Sequence, residues 1–204
     1  NTREWIAGLK VVDGKGELLD LNRGLIKNSS GYDLRHLMIG SEGTLGLVVE
    51  ATVRLADPPP RTNVMVLALP AMDALMQVFD ACRRGLRLAA FEFFTDRALH
   101  HVLRNGAQRP YDTTSPFHVL VEFDAVDEAQ QEAALALFEH CVSQGWVDDG
   151  VISHSDAQAA ALWRLREGIT ESLAPYRPYK NDISMRISAI PRFIHPMQGY
   201  FPAG

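Results

Sequence analysis

The hydrophobic pattern changes character once along the chain, at a run of prolines. Before it, Trp5 to Val12 alternates apolar and polar, meets the turn signal Asp13-Gly14-Lys15-Gly16, and resumes an extended pattern from Glu17 to Leu21. That spacing predicts a β-hairpin. Leu45-Gly46-Leu47-Val48-Val49 opens a further strand running to Leu55, and its unbroken apolar run predicts burial on both faces. Between them, Asp33 to Met38 has the length of one or two helical turns, with Asp33 as N-cap. A hairpin and one strand make too little sheet to stand comfortably alone. Since the sequence opens on Asn1 at the edge of a strand, the chain is expected to be a fragment that starts inside a domain.

Asp57-Pro58-Pro59-Pro60-Arg61 interrupts both periods, because three prolines lack N–H donors and favour a stiff extended segment. A domain boundary is predicted there, giving domains 1–57 and 58–204; a rigid loop inside one domain is the alternative. Beyond it, strands and helices alternate. Thr62 to Leu69 is a strand, and Pro70 to Arg84 carries Met72, Leu75, Met76, Phe79 and Cys82 on one helical stripe. Leu88 to Phe94 is a strand, Thr95 to Leu103 a short helix and Phe117 to Phe123 a strand. Asp127 starts a helix with Ala134, Leu137, Phe138, Cys141 and Val142 on its apolar face, and Val151 to Ser153 is a brief strand. Ser155 with Gln158 makes a capping box for the longest helix, Asp156 to about Leu173. Asp182 to Ile187 alternates as a strand, and Ile190 to Tyr200 is partly helical. Interleaved strands and helices permit a parallel sheet, but the hairpin-like spacing suits an α+β fold with an antiparallel sheet and helices on one face.

Charge and composition narrow the function. With a net charge of −5 and 20 Lys and Arg spread along the sequence there is no basic patch, so neither nucleic acid nor an anionic membrane surface is an expected partner. The longest apolar runs have strand length, so no transmembrane segment is expected. Cys82 and Cys141 fall on the apolar faces of predicted helices and read as buried free thiols in a reducing cytoplasm. None of the seven histidines shows metal-ligand spacing, and all read as surface or capping residues.

Two stretches carry candidate chemistry. In the first, Gly40, Gly43 and Gly46 recur at an interval of three. Glycine lets backbone amides approach a phosphate or a flat ring and permits positive φ; on spacing alone, a tight turn between helix and strand fits equally. The wider wording, Asn-Ser-Ser-Gly-Tyr-Asp-Leu (28–34) and Ile-Gly-Ser-Glu-Gly-Thr-Leu-Gly-Leu-Val (39–48), resembles the end of the flavin domain in FAD-linked oxidases of the vanillyl-alcohol-oxidase superfamily. The resemblance lies in the branch of glycolate oxidase, D-lactate dehydrogenase and D-2-hydroxyglutarate dehydrogenase. It implies FAD contacts from Lys27, Asn28, Gly31, Asp33, Gly40, Ser41, Glu42, Gly43, Gly46 and Val48, mainly through the amides of the loop and strand. Glu42 reads either as a flavin-facing polar group or as an acceptor that holds the loop. The same resemblance implies a ferredoxin-like cap domain after the flavin domain, and Ala90-Phe91-Glu92-Phe93-Phe94-Thr95-Asp96-Arg97-Ala98-Leu99 is similar to its recurring strand-to-helix passage.

In the second stretch, Leu162, Leu165, Ile169 and Leu173 set a buried helical stripe on which Arg166 and Thr170 also fall, one turn apart. A guanidinium there is costly unless an anion meets it. Pairing of Arg166 with Glu167 or another acid is one reading. The resemblance supplies the other, since Trp163, Arg166, Thr170, Tyr179, Lys180 and Asp182 match a cap helix and strand that hold a substrate carboxylate, with Asn181 where an aromatic is usual. Arg166, Thr170 and Lys180 are the expected substrate ligands. The implied catalytic histidines, which in many family members hold a divalent metal such as zinc or manganese, lie beyond Gly204, so no catalytic residue and no metal ligand is expected in this chain. The implied activity is oxidation of a small D-2-hydroxyacid of the lactate, glycolate or 2-hydroxyglutarate type by hydride transfer to FAD, with an unidentified electron acceptor. The piece alone is expected to be inactive, and the parent admits a homodimer. The rival readings are a non-catalytic anion-binding or dimerising α+β module, and a plain structural cap.

Overall fold

In the computed structural model, which describes residues 2–21, 24–25, 27, 29–57 and 61–194, the chain divides into two units, Asn1–Pro58 and Pro59–Gly204. The first holds a short helix α1 (Thr2–Trp5), strands β1 (Ile6–Val12) and β2 (Leu18–Leu21), helix α2 (Leu34–Met38) and strand β3 (Leu47–Val53). Its sheet has the order β2-β1-β3, antiparallel throughout. The predicted hairpin forms because Asp13 closes its own turn, the carboxylate accepting the amides of Lys15 and Glu17 at 2.8 and 2.9 Å. Leu9, Val11 and Leu21 make the core of this unit, with Met38 and Ile39 packed on it.

One expectation fails here. β3 is exposed along its whole length, with Leu47 at 68% and Val49 at 52%, although the run predicts burial on both faces. The strand sits at the edge of a three-stranded sheet whose small core is gathered around β1, so an apolar run at that edge finds no cover within its own unit.

The second unit contains β4 (Thr62–Leu69), α3 (Ala74–Gly85), β5 (Leu88–Thr95), α4 (Asp96–Arg104), β6 (Phe117–Asp124), α5 (Glu128–Ser143), β7 (Asp149–Ile152) and α6 (Asp156–Leu173). The sheet order is β5-β6-β4-β7 with every pair antiparallel. Setting α4 and α6 aside leaves strand-helix-strand-strand-helix-strand, the ferredoxin-like arrangement. The α+β, antiparallel expectation holds.

The placing of helices on one face needs correction. Met65, Leu67 and Leu69 of β4 and Val119, Val121 and Phe123 of β6 pack with Leu75, Val78 and Cys82 of α3 and Leu137 and Cys141 of α5. The alternate residues Val64, Val66, Ala68 and Leu120 pack against Leu99 of α4 and Leu162 and Leu165 of α6. Both faces are therefore covered. The reason is in the two central strands: seven of the eight β4 residues are buried, and an apolar run without alternation needs a layer on each side.

Local caps fix where the helices begin. Asp33, Thr95, Asp127 and Ser155 each accept an amide of the first turn, from Arg35, Ala98, Gln130 and Gln158 respectively. At α6 the box is closed one residue early, since the Gln158 side chain accepts the amide of His154 at 2.7 Å. After α6 a 3-10 turn (Ala174–Tyr176) leads into an irregular stretch over residues 177–186. The strand predicted over Asp182 to Ile187 does not form; its isoleucines, Ile183 at 56% and Ile187 at 53%, stay exposed and no strand of the sheet pairs with it. Residues 190–194 are helical and lay Ile190 and Ile194 on the α3/α5 core, while 195–200 lie outside the described residues.

Candidate functional site

The glycine-spaced turn is built from reversed dihedrals. Gly40, Glu42 and Gly43 have φ of +87°, +50° and +78°, so the chain coils tightly between α2 and β3. The amide of Ser41 donates to the Met38 carbonyl, and both the amide and the hydroxyl of Thr44 donate to the Ser41 carbonyl. The amides of Glu42 and Gly43 have no partner among the described residues, and the space where a Gly43 Cβ would stand is open. A non-glycine residue at positive φ costs about 1–2 kcal/mol, so Glu42 is locally strained in this turn. Its side chain is exposed and accepts no hydrogen bond among the described residues.

Gly46 and Asp33 have structural work within the unit. A Cβ on Gly46 would stand 2.7 Å from Val11 Cγ1 and 2.8 Å from the Val12 carbonyl oxygen, so this glycine lets β3 close on β1. Asp33 caps α2 and pairs with the Arg35 guanidinium, whose hydrogen bonds hold its carboxyl below the usual carboxylate range. Arg35 also donates to the carbonyls of Ile6 and Ala7, tying α2 to β1. Lys27 and Gly31 are exposed, Val48 pairs with Val11 across the sheet, and Asn28 lies outside the described residues.

On α6, Arg166 is half-buried rather than sunk in the stripe. Its Nε donates to Glu92 Oε2 of β5 at 3.0 Å, with both side chains 37% exposed. An ion pair this accessible contributes at most about 1 kcal/mol to stability. Arg166 Nη1 and Nη2 have no partner among the described residues. Thr170, one turn on, is exposed, and Lys180 stands exposed in the irregular stretch with no hydrogen bond or ion pair among the described residues. Trp163 packs on the α4/α6 core, Tyr179 is 92% exposed, and Asp182 is exposed. Arg166 and Thr170 thus share a helix face, while no described contact joins either to Lys180.

The reading of all histidines as surface or capping residues is wrong for His118. It is fully buried on β6, with Nδ1 2.6 Å from the Tyr111 hydroxyl and Nε2 3.0 Å from Asp96 Oδ1, and Arg109 meets the same carboxylate at 3.4 Å. A carboxylate only accepts, so Nε2 carries the proton and Nδ1 takes the tyrosine O–H. Burial lowers the His118 pKa more than Asp96 raises it, which keeps the ring neutral, and burial raises that of Tyr111. Every polar group in the chain of contacts is satisfied, and it pins the segment before β6 to the start of α4. The signal was available: a histidine inside the two-sidedly apolar Phe117-His118-Val119-Leu120-Val121 has nowhere to go but the interior. Cys82 and Cys141 are free and buried as expected, and burial pushes the Cys82 thiol up to about 12, which makes it inert.

Comparison with known proteins decides the family. Residues 58–201 match the family described as FAD linked oxidases, C-terminal domain. The chain belongs to the FAD-linked oxidase family. A D-2-hydroxyglutarate dehydrogenase of Xanthomonas citri pv. viticola is 71% identical over 198 residues, covering 97% of this chain and 42% of the relative. The protein of that name in Stutzerimonas stutzeri is 54% identical over 194 residues, covering 95% and 42%. A mitochondrial one in Arabidopsis thaliana is 32% identical over 200 residues, covering 95% and 36%. The chain thus spans about two fifths of the length of such relatives. Among solved structures, p-cresol methylhydroxylase with substrate bound superposes with a TM-score of 0.52 at 12% identity, over 74% of this chain and 34% of that one. Alkyldihydroxyacetonephosphate synthase gives 0.51 at 14%, over 80% and 32%. These two likenesses concern the fold alone. No helix among the described residues is long and apolar enough to cross a membrane, and mitochondrial relatives leave the cytoplasmic expectation unsupported.

Proposed function

We propose that this chain supplies part of the flavin cradle and the substrate-anchoring cap, domains 1–57 and 58–204, of an enzyme that oxidises a D-2-hydroxyacid. D-2-hydroxyglutarate, named in the relatives, is the first substrate to assay, and D-lactate the second. The observation that carries the reading is the state of Arg166: one Nε bond to Glu92 and two terminal amino groups without partners. A planar edge of two N–H donors is what a carboxylate accepts bidentately. Thr170 adds a hydroxyl on the same helix face, and Lys180, exposed in the irregular stretch after α6, a second positive charge.

What supports FAD in the first unit is that the amides of Glu42 and Gly43 have no partner among the described residues and that the space at the Gly43 Cβ position is open. In this reading those amides hold the cofactor, and Lys27, Asn28, Gly31, Asp33, Gly40, Ser41, Gly46 and Val48 are its further expected contacts. FAD, when bound, would accept the hydride from C2 as the hydroxyacid becomes a 2-oxoacid, and the hydroxyl proton would pass to a base that this reading does not assign to the present chain. The chain's own contribution is to fix the carboxylate, and through it the direction in which C2 points. No group of three or more His, Cys, Asp or Glu that could hold a metal occurs among the described residues, so a zinc or manganese ion is given no step here. The electron acceptor and a homodimer belong to the reading only as the parent's unassigned partners. Two buried free thiols suit a reducing compartment.

The test is Arg166→Met in the full-length FAD-loaded protein. Loss of a charged hydrogen-bonded partner to the carboxylate lowers kcat/KM for D-2-hydroxyglutarate by at least about 2 kcal/mol, roughly thirtyfold. An unchanged kcat/KM contradicts the reading.

A further inference from the structure

The guanidinium of Arg166 is met on one side by an acid from a distant strand. Glu92 lies 74 residues earlier, on β5, opposite Leu120 in the sheet register and so on the face that α4 and α6 cover. Guanidinium offers a carboxylate two flat edges, one formed by Nε with a terminal nitrogen and one formed by the two terminal nitrogens. With Nε–H given to Glu92 Oε2 at 3.0 Å, the side edge is occupied and the end edge remains. The contact also fixes the plane of the ion, since a side chain with four rotatable bonds and one anchored N–H can no longer sweep freely. Charge works against the incoming anion, since Glu92 is itself a carboxylate, and what the contact contributes is direction. The pair sums to zero, so an incoming carboxylate is drawn by the direction of two N–H groups rather than by excess positive charge.

We propose that Glu92 is a positioning residue for the substrate: it holds Arg166 so that the guanidinium receives the hydroxyacid carboxylate end-on. This rests on the carboxylate-anchoring reading of Arg166. Exposure of both partners makes the pair a weak stabiliser, so its removal shows in substrate binding rather than in folding.

The experiment compares Glu92→Ala, Glu92→Gln, Arg166→Met and the E92A/R166M double variant in the full-length FAD-loaded protein, with D-2-hydroxyglutarate as substrate. E92A raises KM at least about tenfold and changes kcat by less than about threefold, with the thermal midpoint kept. E92Q, whose amide oxygen still accepts the Nε–H, returns KM to within about threefold of the natural enzyme. The double variant is no worse than R166M alone, because without the guanidinium there is nothing left to position. Should E92A not fold, Glu92→Thr, a good strand former too short to reach Arg166, takes its place. An unchanged KM in E92A, a Gln variant as damaged as the Ala variant, or additive losses in the double variant each overturn the inference. If R166M is costly and E92A is silent, Glu92 alone loses its role; if R166M is silent, the anchoring reading itself falls.

Discussion

Strands β3 and β4 look alike on paper and behave oppositely in the molecule. Leu47-Val48-Val49 and Val64-Met65-Val66-Leu67 are both unbroken apolar runs, yet every residue of β3 is exposed and seven of the eight in β4 are buried. β4 lies between β6 and β7 with helices over each face, whereas β3 hangs on the edge of a three-stranded sheet. An apolar run reports a demand for cover, and only the neighbours decide whether the demand is met. The same contrast runs through the two candidate sites, one made of backbone amides on a small sheet, the other of side chains on a sandwiched one.

Substitutions that treat the two strands alike sharpen the contrast, and the first carries the largest effect. Val66→Asp places a carboxylate between β6, β7 and α6 with no partner and is expected to cost more than about 4 kcal/mol, unfolding the second unit. Val49→Asp on β3 stays within about 1 kcal/mol in urea unfolding of this chain, since its side chain already meets water. Glycines divide in the same way. Gly150→Ala sets a Cβ 2.8 Å from Leu67 Cδ2 and Phe138 Cε2 and 3.1 Å from the Val66 carbonyl, for about 1–3 kcal/mol by thermal unfolding. Gly43→Ala meets no atom and costs about 1 kcal/mol through its φ of +78°, while FAD affinity of the full-length protein falls at least about tenfold if the cofactor packs where the new Cβ would stand.

Smaller effects come from the second unit's polar groups. Removing the α6 cap by Ser155→Ala is expected to cost about 1 kcal/mol in denaturant unfolding. His118 gives a pH dependence: its folded pKa is lowered by burial, so the unfolded chain binds the proton more readily. Stability is then full above about 6.5 and falls as pH drops through that value. His118→Gln, which cannot titrate, flattens this slope between pH 7.5 and 5.5 in thermal melts; an unchanged slope excludes His118 as its source.

What was legible follows the range of the interactions. Thr62–Leu69 and the start of Asp156–Leu173 are readable to the residue, and so are the caps at Asp33, Asp127 and Ser155, because hairpins, helix periods and caps are decided within about four residues. The second layer of helices was half legible, since the unbroken β4 run asks for it, though one-faced cover was expected. Contacts across the sheet were not. Nothing near Arg166 in sequence points to Glu92, and nothing near His118 points to Asp96, 22 residues away. The strand expected over Asp182–Ile187 fails for the converse reason, as alternation alone cannot supply a ladder partner. Of the site itself, the residue types at Arg166 and in the glycine turn and the cap at Asp33 could be read, but not that Gly46 serves the sheet beside it or that Asp33 also pairs with Arg35.

The most direct test of the central claim is a titration of the full-length FAD-loaded protein with 2-oxoglutarate, followed by the flavin absorbance. Binding is expected to perturb the flavin spectrum, and Arg166→Met to weaken it by about thirtyfold at unchanged FAD content. Equal affinity in the two proteins, or binding that leaves the flavin spectrum untouched, would contradict it.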